Sequence, residues 1–152
     1  MIVSIDIGTS YSSICILEPD GSAKPVDIST GASMYGSKFS LPSAVYVEDD
    51  GTVLVGQAAM NSRKRKPENF RMEFKRDLGQ EIPVMLGNRS FRPEELYTEM
   101  FRHMKGRAEQ SAGEKIEKAY LTYPASFGKS KKEKVISAAR AAGLFEVELV
   151  DE

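Results

Sequence analysis

The sequence predicts a mixed α/β fold, and three stretches carry that expectation. Residues 1–17 read as two apolar strands around a tight turn, residues 93–108 carry an apolar stripe at helical spacing, and residues 116–149 run strand, helix, strand. A strand, a helix and a second strand in succession imply a parallel crossover, because parallel neighbours need a connection of a dozen or more residues. An antiparallel start and a parallel end require one sheet of mixed direction with helices against it.

The first strand, residues 1–5, is apolar on nearly both faces, as a strand covered on both sides would be. Residues 14–17 return. Pro19-Asp20-Gly21-Ser22 is turn chemistry, and residues 23–29 are expected to complete an antiparallel meander. Residues 30–40, rich in Gly, Ser and Lys, read as a surface loop. Strands at 44–48 and 52–55 flank the hairpin turn Asp49-Asp50-Gly51. A short helix begins at 56–60 and runs into Arg63-Lys64-Arg65-Lys66, a basic run expected as a solvated face. Residues 70–78 read as another short helix closed by Gly79, and 82–86 pairs with 89–91 around Gly87-Asn88.

The longest helix is expected from Pro93, a favoured first-turn residue, with Glu94 and Glu95 complementing the positive end of its dipole. Leu96, Met100, Met104 and Ala108 recur at i, i+4 with Tyr97 and Phe101 beside them, so the methionines are packing residues and not a cofactor box. A strand over 116–123 ends at Pro124. Ser130 followed by Glu133 reads as a capping box for a helix through Ala142, stopped by Gly143, after which Phe145, Val147 and Leu149 alternate along a last strand.

Composition narrows the function. At 152 residues with 41% hydrophobic and 28% charged residues, the chain is about one soluble domain in length. Its net charge of −1 offers no basic excess for nucleic acid. The single cysteine, Cys15, rules out a disulfide framework within the chain and suggests a reducing compartment. One histidine, His103, argues against a histidine-ligated metal or a serine–histidine triad. No apolar run is long enough for a membrane span and no export leader precedes the first strand, so a cytoplasmic protein without membrane contact is expected.

The chemistry is concentrated in Ile5-Asp6-Ile7-Gly8-Thr9-Ser10-Tyr11-Ser12-Ser13. Asp6, at the end of an apolar strand, is placed to hold a cation. Gly8 lets the backbone turn and approach a ligand. Thr9, Ser10 and Tyr11 offer hydroxyls and successive N–H groups of the kind that cradle phosphate. A metal–nucleotide site is the sharp reading of this stretch, and a polar hairpin turn the plain one.

Segments downstream decide between them. The opening IDIGTSYSS, LPSAVYV at 41–47, VGQAA at 55–59, FKRDLG at 74–79, FRPEEL at 91–96, TYPASF at 122–127 and ARAAGL at 139–144 together resemble, in order, the amino-terminal lobe of the DnaK-type seventy-kilodalton heat-shock chaperones. The resemblance covers essentially the whole chain. It implies an actin-like ATPase (ribonuclease H-like) lobe with a mixed five-stranded type of sheet. A core subdomain would span about 1–29 and 113–152, with a smaller inserted subdomain at about 30–112. It implies ATP or ADP with Mg²⁺ as cofactors: Gly8, Thr9, Ser10 and Tyr11 would line the first phosphate loop, and Asp6 would hold Mg²⁺ through waters. Lys75 falls on the catalytic lysine that faces the γ-phosphate and orients the attacking water. Glu152 falls on an acidic residue of the magnesium and water network, and Pro124 with Lys132 on an allosteric relay.

Some residues depart from the family pattern. Lys132 stands where Arg is usual, Tyr123 and Ser126 replace Val and Tyr, and Asp77 replaces Leu, which makes lobe-to-lobe coupling the least secure transfer. The second lobe and the peptide-binding domain would lie beyond Glu152, so the fragment by itself is expected to be inactive. In the whole protein the resemblance implies unfolded or extended polypeptide as client, with a J-domain co-chaperone and a nucleotide-exchange factor as partners. The opening motif alone also fits a small-molecule kinase of the same superfamily or an actin-like nucleotide-dependent assembly protein.

Overall fold

A computed structural model describes residues 1–32 and 36–151. Its main sheet follows the order β11-β10-β1-β2-β3, formed by β1 (Ile2–Ile7), β2 (Tyr11–Leu17), β3 (Ala23–Pro25), β10 (Lys118–Tyr123) and β11 (Val147–Asp151), with the two-residue β4 (Leu41–Pro42) also paired to β2. The direction is mixed as expected: β1 runs antiparallel to β2 and parallel to β10, and β10 is parallel to β11. Val3, Ile5 and Ile7 alternate into the core along β1, and Ala119 and Leu121 do so on its neighbour β10.

A second sheet, β6-β5-β7, joins β5 (Ala44–Val47), β6 (Val53–Val55) and β7 (Phe70–Met72), and β8 (Val84–Leu86) pairs with β9 (Arg89–Phe91) in a separate hairpin. Every residue of β5 is buried. Val45 and Val47 face the main core, while Ala44 and Tyr46 pack on Ala59 of α1 (Gln57–Ser62). The alternation read in the sequence therefore separates two apolar faces, not an apolar from a polar one.

The long helix α2 (Pro93–Ala112) buries Leu96, Met100, Met104 and Ala108 completely. Its first turn is closed by Glu95, whose carboxylate accepts the Arg92 backbone N–H at 3.1 Å. It packs against β2 and α3 (Lys129–Ala141), and Thr98 Oγ1 donates to the Ala138 carbonyl of α3 at 3.1 Å.

Four local expectations are corrected. The third strand ends at Pro25 and does not reach Ser29: the Val26 N–H still donates to the Ile14 carbonyl of β2 at 3.1 Å, but the Ile28 N–H then turns to the Lys38 carbonyl at 2.9 Å and Asp27 folds back to accept the Ser29 N–H and hydroxyl. Residues 70–78 are not a helix: β7 pairs with β5, Glu73 takes a left-handed conformation (φ 56°), and a 3₁₀ turn spans Phe74–Asp77. Pairing to an open edge of β5 outweighs weak local helix preference. The Ser130–Glu133 capping box does not form, since α3 starts earlier, with Gly128 as its N-cap, and Ser130 lies within its first turn. Phe145 precedes β11, whose pairing with β10 begins at Val147, and the residue is 73% exposed.

Candidate nucleotide site

Parallel strands put their carboxyl ends on one edge, and that edge is where ligands of open α/β sheets are received. Here it gathers Asp6 of β1, Thr122 of β10 and Asp151 of β11, next to the β1–β2 turn. Asp6 is exposed, and its Oδ1 accepts a 2.7 Å hydrogen bond from Thr122 Oγ1. Thr122 belongs to a segment that the sequence flags, yet its hydroxyl was not singled out. Only strand register brings it beside a residue 116 positions away.

The turn at residues 8–10 is tightly made. Gly8 N–H donates to the Tyr11 carbonyl at 2.9 Å, and a Cβ on Gly8 would collide with that same oxygen, so this position admits no side chain. Behind the turn lies buried Ser43, which follows β4 and was not read as a site residue. Its hydroxyl donates to the Gly8 carbonyl at 2.8 Å and lies 2.8 Å from Ser12 Oγ, and its N–H donates to the Ser10 carbonyl at 2.9 Å. Tyr11 projects outward and borders a cleft of about 380 Å³ that also touches Thr30, Lys38, Pro42 and Gln57.

Lys75 sits in the 3₁₀ turn Phe74–Asp77. Phe74 is fully buried and meets Tyr97 of α2 edge-on, with ring centroids 5.6 Å apart, and this anchor presents the half-buried Lys75 to a narrow recess. The recess, about 10 Å³, is lined by Lys75, Thr122, Pro124, Phe127 and the β1 residues Ile5 and Ile7. Four residues named from sequence, Asp6, Gly8, Lys75 and Pro124, thus converge with Thr122 at one edge of the sheet. Glu152 lies outside the described residues.

Three departures find partners. Asp77 is buried and accepts a forked ion pair from Arg71 of β7, at 2.6–2.9 Å, which ties the Lys75 turn to the second sheet. Lys132 places its ammonium 4.4 Å from the centroid of the Tyr123 ring, so the unusual lysine and the unusual tyrosine engage each other beside Pro124. The basic run meets acids of the β5–β6 turn: Lys66 with Asp49 at 2.6 Å and Arg65 with Glu48 at 3.3 Å.

Among the described residues no cluster of three or more His, Cys, Asp or Glu is arranged to hold a metal ion. The donor set nevertheless fits Mg²⁺ with nucleotide, because that ion keeps several waters and takes only one or two carboxylates together with phosphate oxygens. Asp6 is exposed, and among the described residues its Oδ2 makes no protein hydrogen bond. No helix among the described residues is long and apolar enough to cross a membrane.

In sequence, the chain is similar to known proteins along its whole length. Residues 80–152 match the Hsp70 protein family. The chain is 35% identical over 151 residues to chaperone protein DnaK of Methanothermobacter thermautotrophicus, covering 99% of this chain and 25% of that protein. Against chaperone protein DnaK of Elusimicrobium minutum it is 35% identical, with 99% and 24% covered. Against that of Mycoplasmopsis agalactiae it is 32% identical over 152 residues, with 100% and 24% covered. The chain spans about a quarter of the length of these relatives.

Proposed function

Because this chain belongs to the Hsp70 family, as an amino-terminal piece of a DnaK-type ATPase domain, we propose that it forms the ATP-binding half of a chaperone that couples ATP hydrolysis to binding and release of unfolded polypeptide. The observation that carries this reading is the meeting of an exposed carboxylate, a braced turn and an anchored lysine at the carboxyl edge of one sheet.

The residues divide the work. Thr9, Ser10 and Tyr11, held by the Gly8 turn, bind the phosphates through hydroxyls and backbone N–H groups. Asp6 holds Mg²⁺ through waters, with its carboxylate oriented by Thr122. Mg²⁺, when bound, supplies positive charge against the phosphate oxygens. The Lys75 ammonium offsets the charge that develops on the transferring γ-phosphoryl group and orients the attacking water. Glu152, next in sequence after the exposed Asp151 at the end of β11, joins the water network. Pro124 and Lys132 relay nucleotide state, in this chain through the Tyr123 ring.

The architecture is read as an actin-like ATPase lobe with a core subdomain over about 1–29 and 113–152 and an inserted one over about 30–112. The separate sheets β6-β5-β7 and β8-β9 support that division, and α2 spans it by touching β2 and α3 as well as β6 and β9. Unfolded polypeptide, a J-domain co-chaperone and a nucleotide-exchange factor are the partners of the whole protein, which is read as cytoplasmic. The small-molecule kinase and assembly-protein readings gain no observation of their own.

The test is hydrolysis of Mg-ATP by the full-length protein, with and without an extended apolar peptide. Peptide should stimulate turnover, and Lys75→Ala should lower it by about 10²–10³-fold while nucleotide still binds. Turnover indifferent to peptide would overturn the chaperone reading.

A further inference from the structure

Ser43 is 3% exposed and uses every polar atom it has. A carbonyl oxygen can only accept, so the single Ser43 O–H proton goes to the Gly8 carbonyl, and the Ser12 hydroxyl must donate to Ser43 Oγ. The chain Ser12 to Ser43 to Gly8 therefore has one direction. A trans peptide points its C=O and the following N–H opposite ways. With the Gly8 carbonyl fixed inward on buried Ser43, the Thr9 N–H is turned away from the interior, toward the side where an anion can reach it.

The same residue reaches the other arm of the site. The Ser43 carbonyl accepts the Glu73 N–H at 3.2 Å, where the β5–β7 pairing ends. Glu73 is the one non-glycine with positive φ among the described residues, and it immediately precedes the turn that carries Lys75. That conformation is costly for a residue with a side chain, and the bond to Ser43 holds it.

We propose that Ser43 is a positioning residue that sets the phosphate-binding turn at Gly8–Tyr11 and the Lys75 turn in fixed relation, so that one nucleotide can be gripped by the first while its terminal phosphate faces the second. This rests on the reading of the site as one for ATP hydrolysis.

The experiment uses full-length protein carrying Ser43→Ala, Ser43→Thr, and the pair Ser12→Ala with Ser43→Ala, which leaves no orphaned hydroxyl if the single variant folds poorly. Calorimetric titration with Mg-ATP and with adenosine separates phosphate gripping from general damage. ATP affinity should fall about tenfold with adenosine affinity unchanged, Ser43→Thr should recover most of it, and the loss of hydrolysis should be less than additive with Lys75→Ala. Amide resonances of nucleotide-free protein give a second readout, in which Thr9 and Lys75 should both shift in Ser43→Ala. Unchanged ATP affinity and unmoved resonances overturn the role of Ser43. Wild-type protein that neither binds nor hydrolyses Mg-ATP, with both resonances still moving in Ser43→Ala, overturns the ATPase reading and leaves the positioning role standing.

Discussion

Thr122 Oγ1 donates a 2.7 Å hydrogen bond to Asp6 Oδ1 across the parallel pair β1–β10. The bond fixes the rotamer of the one carboxylate at the end of β1 and leaves its other oxygen turned outward. Hydrogen bonds to charged groups contribute about 1.5–3 kcal/mol, and 1.4 kcal/mol is a factor of ten. Thr122→Val keeps the side-chain shape and removes the donor. The Mg²⁺ concentration needed for half-maximal ATP binding should rise about tenfold, with Thr122→Ser close to wild type. An unchanged magnesium dependence would show that Asp6 does not need this partner.

His103 of α2 donates from Nε2 to the Ile28 carbonyl at 2.8 Å, and beside it Arg107 donates to the Ser29 carbonyl at 2.8 Å and pairs with Asp27. Burial, reinforced by the Arg107 charge and only partly countered by the Ile28 bond, holds the imidazole below its ordinary value of 6.5. A group depressed in the folded state and ordinary in the unfolded one favours folding while neutral. Its contribution is fully present above about pH 6.5 and is lost as pH falls through the lower folded value. Denaturation midpoints should be flat above that point and decline beneath it, by up to about 1.4 kcal/mol per pH unit, with the decline removed in His103→Asn. Glu109, held low despite its burial by Lys105 and the Ile116 N–H, acts only below its ordinary 4.5 and does not overlap the upper part of this window. A wild-type and a variant curve of the same shape between pH 5 and 7 would reject the assignment.

Lys132 and Tyr123 test whether two departures from the family pattern compensate each other. A cation over an exposed aromatic face contributes about 0.5–1 kcal/mol. A double-mutant cycle of Lys132→Ala with Tyr123→Val, read by chemical denaturation, should return a coupling energy of about 0.5 kcal/mol. Strict additivity would mean that the contact, 4.4 Å from ammonium to centroid, does no energetic work in solution.

Much of this protein was written locally. The stripe Leu96, Met100, Met104, Ala108 sits at helical spacing, and all four side chains are buried on α2 because period alone selects the face a helix presents. Gly8 was legible as the residue of a tight turn, and the structure adds that a Cβ there would collide with the Tyr11 carbonyl oxygen. The parallel crossover of β10 and β11 followed from the length of the connection between them.

What the sequence could not state were relations set by pairing. Residues 70–72 became a strand because β5 offered an edge, not because three residues prefer extension, and the 3₁₀ turn that carries Lys75 exists only after that pairing is made. Ser43 and Thr122 read as ordinary polar residues until register put one behind Gly8 and the other beside Asp6. Asp77 read as a departure until Arg71 closed on it. Local sequence determined which elements form and which residue types face a ligand, because helix period, turn chemistry and backbone sterics act over a few residues. The tertiary structure alone decided which hydroxyl, lysine and carboxylate meet, because hydrogen bonds across 31 and 116 positions depend on strand register, which is settled only when the whole core packs.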